Sequence, residues 1–397
     1  MEKLNMQNGE QAGDFVKTLV NPETGETGFR DGFHVHKSWA RQCMTFDQVM
    51  EKAEQYNRER QDIDVELGAI VPTVSDSGRF VLKVNDSEYS PTEWAIKQFS
   101  TKIGLTAGNL MVELMSGDTE DAATAVKVFD NHLRKVESSE KEYKIRAYND
   151  GTIRAVLSTR YAPIDNRWFL ERINEILPES LYSHWRSDSD TMYGNVLMPD
   201  SIIDYGQSDG SDYGGMLSLS NCEIGKRSFG QYPSIFRSIC MNGCIWNQKS
   251  GEKLARRHIG AIDLEQIAVK MRENITDQIP LISVHVEKLL RLERFRVEGS
   301  MKAHIAAMCD NFKIPASMAR MILEEFAVNE KDHRNLFGIV NSFTRACQKG
   351  SNEEWVKMDT FAGSVLNWNE NQWQATSTKA NSMTVEEVEN VYGLVGV

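Results

Sequence analysis

The chain has little of what builds fibres, disulfide frameworks or membrane spans. Nine Pro in 397 residues exclude a Pro-rich or collagen-like rod. No run of 18 apolar residues occurs, so no membrane-crossing helix is expected. Met1 to Phe15 lacks an apolar stretch long enough for a secretory signal, which points to the cytosol of the cell that makes it. The six Cys (Cys43, Cys222, Cys240, Cys244, Cys309, Cys347) are scattered and read as reduced thiols rather than a disulfide framework. The Gly-x-x-x-x-Gly-Lys-Ser/Thr phosphate loop, the Gly-x-Gly-x-x-Gly dinucleotide turn, the Gly-x-Ser-x-Gly elbow and the His-Glu-x-x-His zinc motif are all missing. ATPases, Rossmann dehydrogenases, common hydrolases and zincins therefore lose weight. Neither a metal nor a cofactor is expected.

What is present is an ordinary globular composition. Apolar residues make up 41%, and 8 Trp, 11 Tyr and 16 Phe exclude a chain that is disordered throughout. The length suits one large domain or two lobes. The formal net charge is −12, so the mean field repels polyanions. Residues 226–302 run against it, with 14 basic and 8 acidic side chains. A local basic face is therefore open; a solvated, salt-bridged surface is the plainer reading of such a run.

Patterning predicts an α+β fold, a mixed or antiparallel sheet body followed by a mostly helical C-terminal region. Residues 1–60 read as a partly irregular N-terminal extension. Residues 61–262 read as the α+β core, 263–366 as the helical region and 367–397 as a loose polar tail. Thr45 is placed to cap a helix carrying Phe46, Val49, Met50 and Ala53 at helical spacing. Ser90-Pro91-Thr92-Glu93 reads as a second helix start, with Ser90 as the cap. The clearest hairpin joins Tyr143–Tyr148 to Thr152–Leu157 through Asn149-Asp150-Gly151, residues that tolerate positive φ. Asp165 is expected to cap the next helix. Met216 to Ile224 reads as a strand carrying Glu223, and Asn242-Gly243 as a tight turn.

The least ordinary constellation is basic and aromatic. Arg146, Arg154, Arg160 and Tyr161 surround the hairpin, followed along the chain by Arg237, Arg256, Arg257 and His258. Arg beside aromatics on a sheet suits single-stranded nucleic acid, through phosphate pairing and base stacking. The alternative is an exposed hairpin with Arg chosen for solubility. Cys222, Cys240, Cys244 and His258 could in principle hold zinc, but they lack two close Cys pairs, and buried thiols are the preferred reading.

Several segments resemble a known family. They are Arg154-Ala155-Val156-Leu157-Ser158-Thr159-Arg160-Tyr161-Ala162-Pro163-Ile164-Asp165-Asn166, Asn221-Cys222-Glu223-Ile224-Gly225, Cys240-Met241-Asn242-Gly243, Arg257-His258-Ile259-Gly260 and Asn341-Ser342-Phe343-Thr344-Arg345. In this order they are similar to the hallmark stretches of the phage/plasmid-like protein family, the domain of unknown function numbered 932. Cys222 stands where that family has Ser. The resemblance covers roughly residues 140–350 and implies a phage, prophage or plasmid origin, with little chemistry attached. It singles out Ser158, Asp165, Asn221, Glu223 and Asn242 as matched polar residues. The loop at 158–161 offers hydroxyls, a guanidinium and a helix N-terminus, all anion-binding groups.

Three functions stay open at this point. The first is a mobile-element nucleic-acid-handling protein that binds single-stranded DNA as a homo-oligomeric replication or annealing accessory. The second is a nucleotide or small-ligand enzyme using Glu223, His258 and Arg160. The third is an interaction factor acting on a host protein.

Overall fold

A computed structural model describes residues 15–16, 35–36, 43–136, 142–178, 180–187, 190–204, 212–237, 240–245, 254–256, 258, 262–350 and 352–394. The class is α+β: a mixed and antiparallel sheet region is followed by a helical C-terminal region. Two short strands, β1 (Phe15–Val16) and β2 (Val35–His36), pair with each other. Helix α1 (Phe46–Arg58) opens the continuous part. Thr45 caps it as expected, with Thr45 Oγ1 accepting from the Gln48 backbone and Gln48 Oε1 from that of Thr45.

The first sheet has six strands in the order β3 (Arg60–Glu66), β7 (Glu142–Tyr148), β8 (Thr152–Ser158), β6 (Ser87–Pro91), β5 (Phe80–Val84) and β4 (Ile70–Val74). All pairings are antiparallel except β6 with β8. Helices α2 (Glu93–Lys102), α3 (Gly108–Ser116) and α4 (Thr119–Val136) cover one face, burying Phe99, Met111 and Phe129 against Ile70, Leu82 and Ile145. The start of α2 differs from expectation by two residues. Thr92, not Ser90, accepts from the Ala95 backbone, because Ser90 and Pro91 are held in β6.

The second sheet is antiparallel, in the order β13 (Cys240–Ile245), β12 (Phe229–Arg237), β11 (Asp212–Asn221), β10 (Met192–Asp204) and β9 (Tyr182–Ser187). β14 (Leu254–Arg256) pairs with the start of β12. Two expectations fail here. Glu223 lies beyond β11 in a tight turn closed at Gly225, whose φ is +73°. Asn242 and Gly243 lie within β13 rather than in a turn, Gly243 opposite Phe236 and Asn242 at the register shift beside it.

Helix α5 (Asn166–Ile176) packs beside α1, and α6 (Leu264–Gln278) and α7 (Ile282–Arg291) pack on β11 and β12. Then follow α8 (Met301–Asn311), α9 (Ala316–Glu325), α10 (Leu336–Cys347), α11 (Asn352–Val365), α12 (Glu370–Ser382) and α13 (Val385–Val391). The last two replace the expected loose tail. Asn369 and Thr384 form capping boxes with Gln372 and Glu387. Trp373, Ala380, Val388 and Tyr392 join the same buried cluster as α8 and α10. Among the described residues no helix is long and apolar enough to cross a membrane.

Candidate functional site

The hairpin β7–β8 forms as expected, with Gly151 at φ +78°. Its register shifts after the pair Arg146–Ala155, so Arg154 is the extra residue of a bulge. The arginines do not form the exposed cationic track that the pattern suggests. Arg146 is fully buried. Its Nε and Nη2 donate to Asp62 Oδ1 and Oδ2, both at 2.8 Å, and Nη1 donates to the Glu223 carbonyl. Its guanidinium lies over the Tyr161 ring, 5.6 Å from the centroid. Arg154 is also buried; it pairs with Asp150 at 2.7 Å and lies 3.9 Å from the Tyr148 ring centroid.

Around Arg146 the sequence-matched residues converge into one polar joint between the two sheets. Turn 222–225 is its hub. The Tyr161 hydroxyl donates to the Glu223 carbonyl at 2.8 Å, and Trp94 Nε1 and Gln98 Nε2 donate to the Ile224 carbonyl. Glu223 Oε1 accepts from the Asn166 backbone at 2.7 Å, so a carboxylate from another segment caps α5. Asp165 is the N-cap residue, but its side chain pairs with Arg60 at 2.9 Å instead. Arg60 also faces Glu223 Oε2 at 3.6 Å. Asn221 Nδ2 donates to the Ile164 carbonyl and to Asn166 Oδ1. His258 stacks on Tyr161 at 5.5 Å and 8°, and its Nδ1 accepts from the Ile164 backbone.

The electrostatics follow from burial and pairing. Burial alone would raise the Asp62 carboxyl, but the hydrogen bonds and charge of Arg146 outweigh it and hold it below its ordinary value. Burial raises Glu223, against the pull of the Asn166 N–H and of Arg60 and Arg146. Burial pushes His258 down to about 4, so its ring is neutral. Inside the joint two guanidiniums, Arg60 and Arg146, thus face three carboxyl groups, Asp62, Asp165 and Glu223. Arg154 Nη1, Asn221 Oδ1 and His258 Nε2 have no hydrogen-bond partner among the described residues.

Ser158 ends β8, and its carbonyl accepts from the Tyr161 backbone at 2.8 Å. Arg160 is exposed and lies near Lys102. Arg237 is buried over the Phe337 ring at 5.2 Å. Arg256 is described only as a residue of β14 and Asn242 only as a residue of β13; Arg257 and the side chains of Cys240 and Cys244 lie outside the described residues. Cys43, Cys222, Cys309 and Cys347 form no disulfide among the described residues, and all are buried.

A second place gathers cations at the surface. Helix α7 runs into a 3-10 turn, Leu292–Arg294. Leu289, Leu292 and Phe295 recur every third residue and are buried. A tight helical turn aligns residues three apart, so Lys288, Arg291 and Arg294 are set along a neighbouring row. With Arg296 they line an open cleft of about 860 Å³, which Glu287 and Glu293 also border. Arg291, Arg294 and Arg296 are exposed. Arg294 and Arg296 make no side-chain hydrogen bond or ion pair among the described residues. These residues belong to the basic stretch 226–302. Their three-residue alternation with Leu289, Leu292 and Phe295 is the sequence signal that singles them out.

Comparison with known proteins adds nothing to this geometry: no family model, no curated protein and no solved structure matches the chain.

Proposed function

We propose that the protein binds single-stranded nucleic acid, with phosphates held in the cleft of Lys288, Arg291, Arg294 and Arg296. The supporting observation is the row of exposed cations along one open cleft. Such a row pairs with a flexible backbone without reading sequence. The net charge of −12 makes the rest of the molecule repulsive, so contacts stay local to this cleft. Arg146 and Arg154 are not part of this reading, because both are buried and pair with Asp62, Asp150 and the Glu223 carbonyl. A mobile-element origin belongs to the proposal as well, supported by the motif resemblance, and so does assembly of copies along the strand.

The test is binding of a labelled single strand of about 40 nucleotides across a salt series. Replacing Arg291, Arg294 and Arg296 together by Ala is expected to weaken binding and flatten the slope of log K against log salt by about 2 units. An unchanged slope, or no binding by the wild type at low salt, refutes the proposal. A second reading, a small-ligand or nucleotide enzyme at the polar joint, rests on the buried unpartnered atoms Asn221 Oδ1 and His258 Nε2. Titration of mononucleotides against the wild type and an Asn221→Ala variant separates it from the first.

A further inference from the structure

Beside the cationic cleft runs a short row of aromatic rings. Phe312 ends α8, Phe361 sits on α11, and Trp368 lies in the turn between α11 and α12. Phe312 and Phe361 stack with centroids 4.8 Å apart at 18°, and Phe312 and Trp368 with centroids 6.2 Å apart at 23°. Three separate segments therefore hold three rings nearly parallel. All three are only partly buried, at the edge of the core. Their neighbours Trp355, Trp373 and Phe343 are buried.

The row is tied to the cleft by direct contacts. Arg291 Nη2 donates to the Leu366 and Trp368 carbonyls, each at 3.4 Å, and Lys288 Nζ donates to Asn367 Oδ1 at 3.1 Å. At Phe361, the exposed Lys357 places its ammonium 5.6 Å from the ring centroid. Partly exposed rings bracketed by Lys288, Arg291 and Lys357 combine the two groups that an unpaired strand offers partners for. Bases present π faces to the rings, and phosphates present charge to the cations. A duplex hides its base faces and gains nothing from such a row.

We propose that Trp368, backed by the stacked rings of Phe312 and Phe361, forms a stacking platform for the bases of a single strand whose phosphates lie along Lys288, Arg291 and Arg294. This inference rests on the nucleic-acid reading above and adds what distinguishes a single strand from a bare polyanion. The test compares oligo(dT) of about 30 nucleotides with an abasic strand of equal length, which keeps every phosphate and lacks every base. Wild-type protein is expected to bind oligo(dT) at least tenfold more tightly, since one stacked base accounts for roughly that factor or more. Trp368→Leu keeps apolar volume without the π face; it is expected to cut this preference about fivefold or more while leaving the salt slope intact. Arg294→Ala, which removes a side chain with no hydrogen bond or ion pair among the described residues, is expected to weaken both strands alike, to lower the slope by about 0.7, and to leave the preference.

Equal wild-type binding of the two strands overturns the platform and leaves the nucleic-acid reading standing. Absence of binding to either strand overturns both. The wild-type comparison needs no variant, so it decides the matter even if Trp368→Leu fails to fold.

Discussion

Arg146 gives the sharpest test of the joint. In Arg146→Met the stem volume stays while the guanidinium goes. Asp62 then loses both of its 2.8 Å partners, the Glu223 carbonyl loses a donor, and Tyr161 loses the cation beside its ring. Breaking a buried pair from one side costs about 3–5 kcal/mol. The Asp62 side chain is 26% exposed and can recover some hydration, so the low end, about 3 kcal/mol, is expected. With an m-value near 3 kcal/mol/M, that shifts the urea midpoint down by about 1 M. Intrinsic Trp fluorescence is a suitable probe, because Trp94 bonds to the same turn at the Ile224 carbonyl. Adding Asp62→Asn should recover part of the loss, and the double-mutant cycle isolates the coupling. A loss below about 0.5 kcal/mol is the signature of a surface residue and refutes the buried joint.

Three more outcomes follow from the geometry. Burial holds the fully buried Asp359 carboxyl well above its ordinary 3.8, so folding takes up a proton between that value and the folded one. Stability from this group is therefore lost as pH rises from about 4, by up to about 1.4 kcal/mol per unit, and the advantage of Asp359→Asn in urea melts should grow with pH; a constant difference refutes it. His184 is buried, with its pKa pushed down to about 3 by burial and then by the charge of Arg186, so its contribution is present above 6.5 and lost as pH falls below that. His184→Asn, which suits the observed φ of +52°, should make the acid limb of the stability profile shallower. Gly194→Ala sets a Cβ 2.3 Å from Trp185 Cε3 and should lower stability by about 1–3 kcal/mol in thermal melts.

The fold class was legible because periodicity is a local signal. The β7–β8 hairpin, the Thr45 cap and the helices after residue 262 each declare themselves within a dozen residues. The tail did not, because α12 and α13 are polar on most faces and anchor through a few well-spaced residues, Trp373, Ala380, Val388 and Tyr392. Nor could spacing show Arg146 to be internal. Its partners Asp62 and Glu223 lie 84 and 77 residues away in sequence, and only the finished sheets bring them together. Tyr161, Asp165, Asn221, Glu223 and His258 meet in the joint, joined by Arg60 and Asp62, which the pattern passed over.

A pattern of Arg, aromatic and hydroxyl residues can serve an external anion or an internal one. In this chain Arg146 and Arg154 are spent internally: two carboxylates and a peptide carbonyl take up donors that phosphates would need. The cleft version remains open, with Arg294 and Arg296 exposed. The two respond oppositely to salt. Charges in the cleft face water and are screened over about 8 Å at physiological ionic strength, whereas the buried Arg146–Asp62 pair is screened far less. Raising salt from 50 to 200 mM (about that range) should therefore cut strand binding steeply and barely move the unfolding midpoint. If both fell together, the joint and the cleft would be one electrostatic unit, and the assignment of binding to the cleft alone would fail.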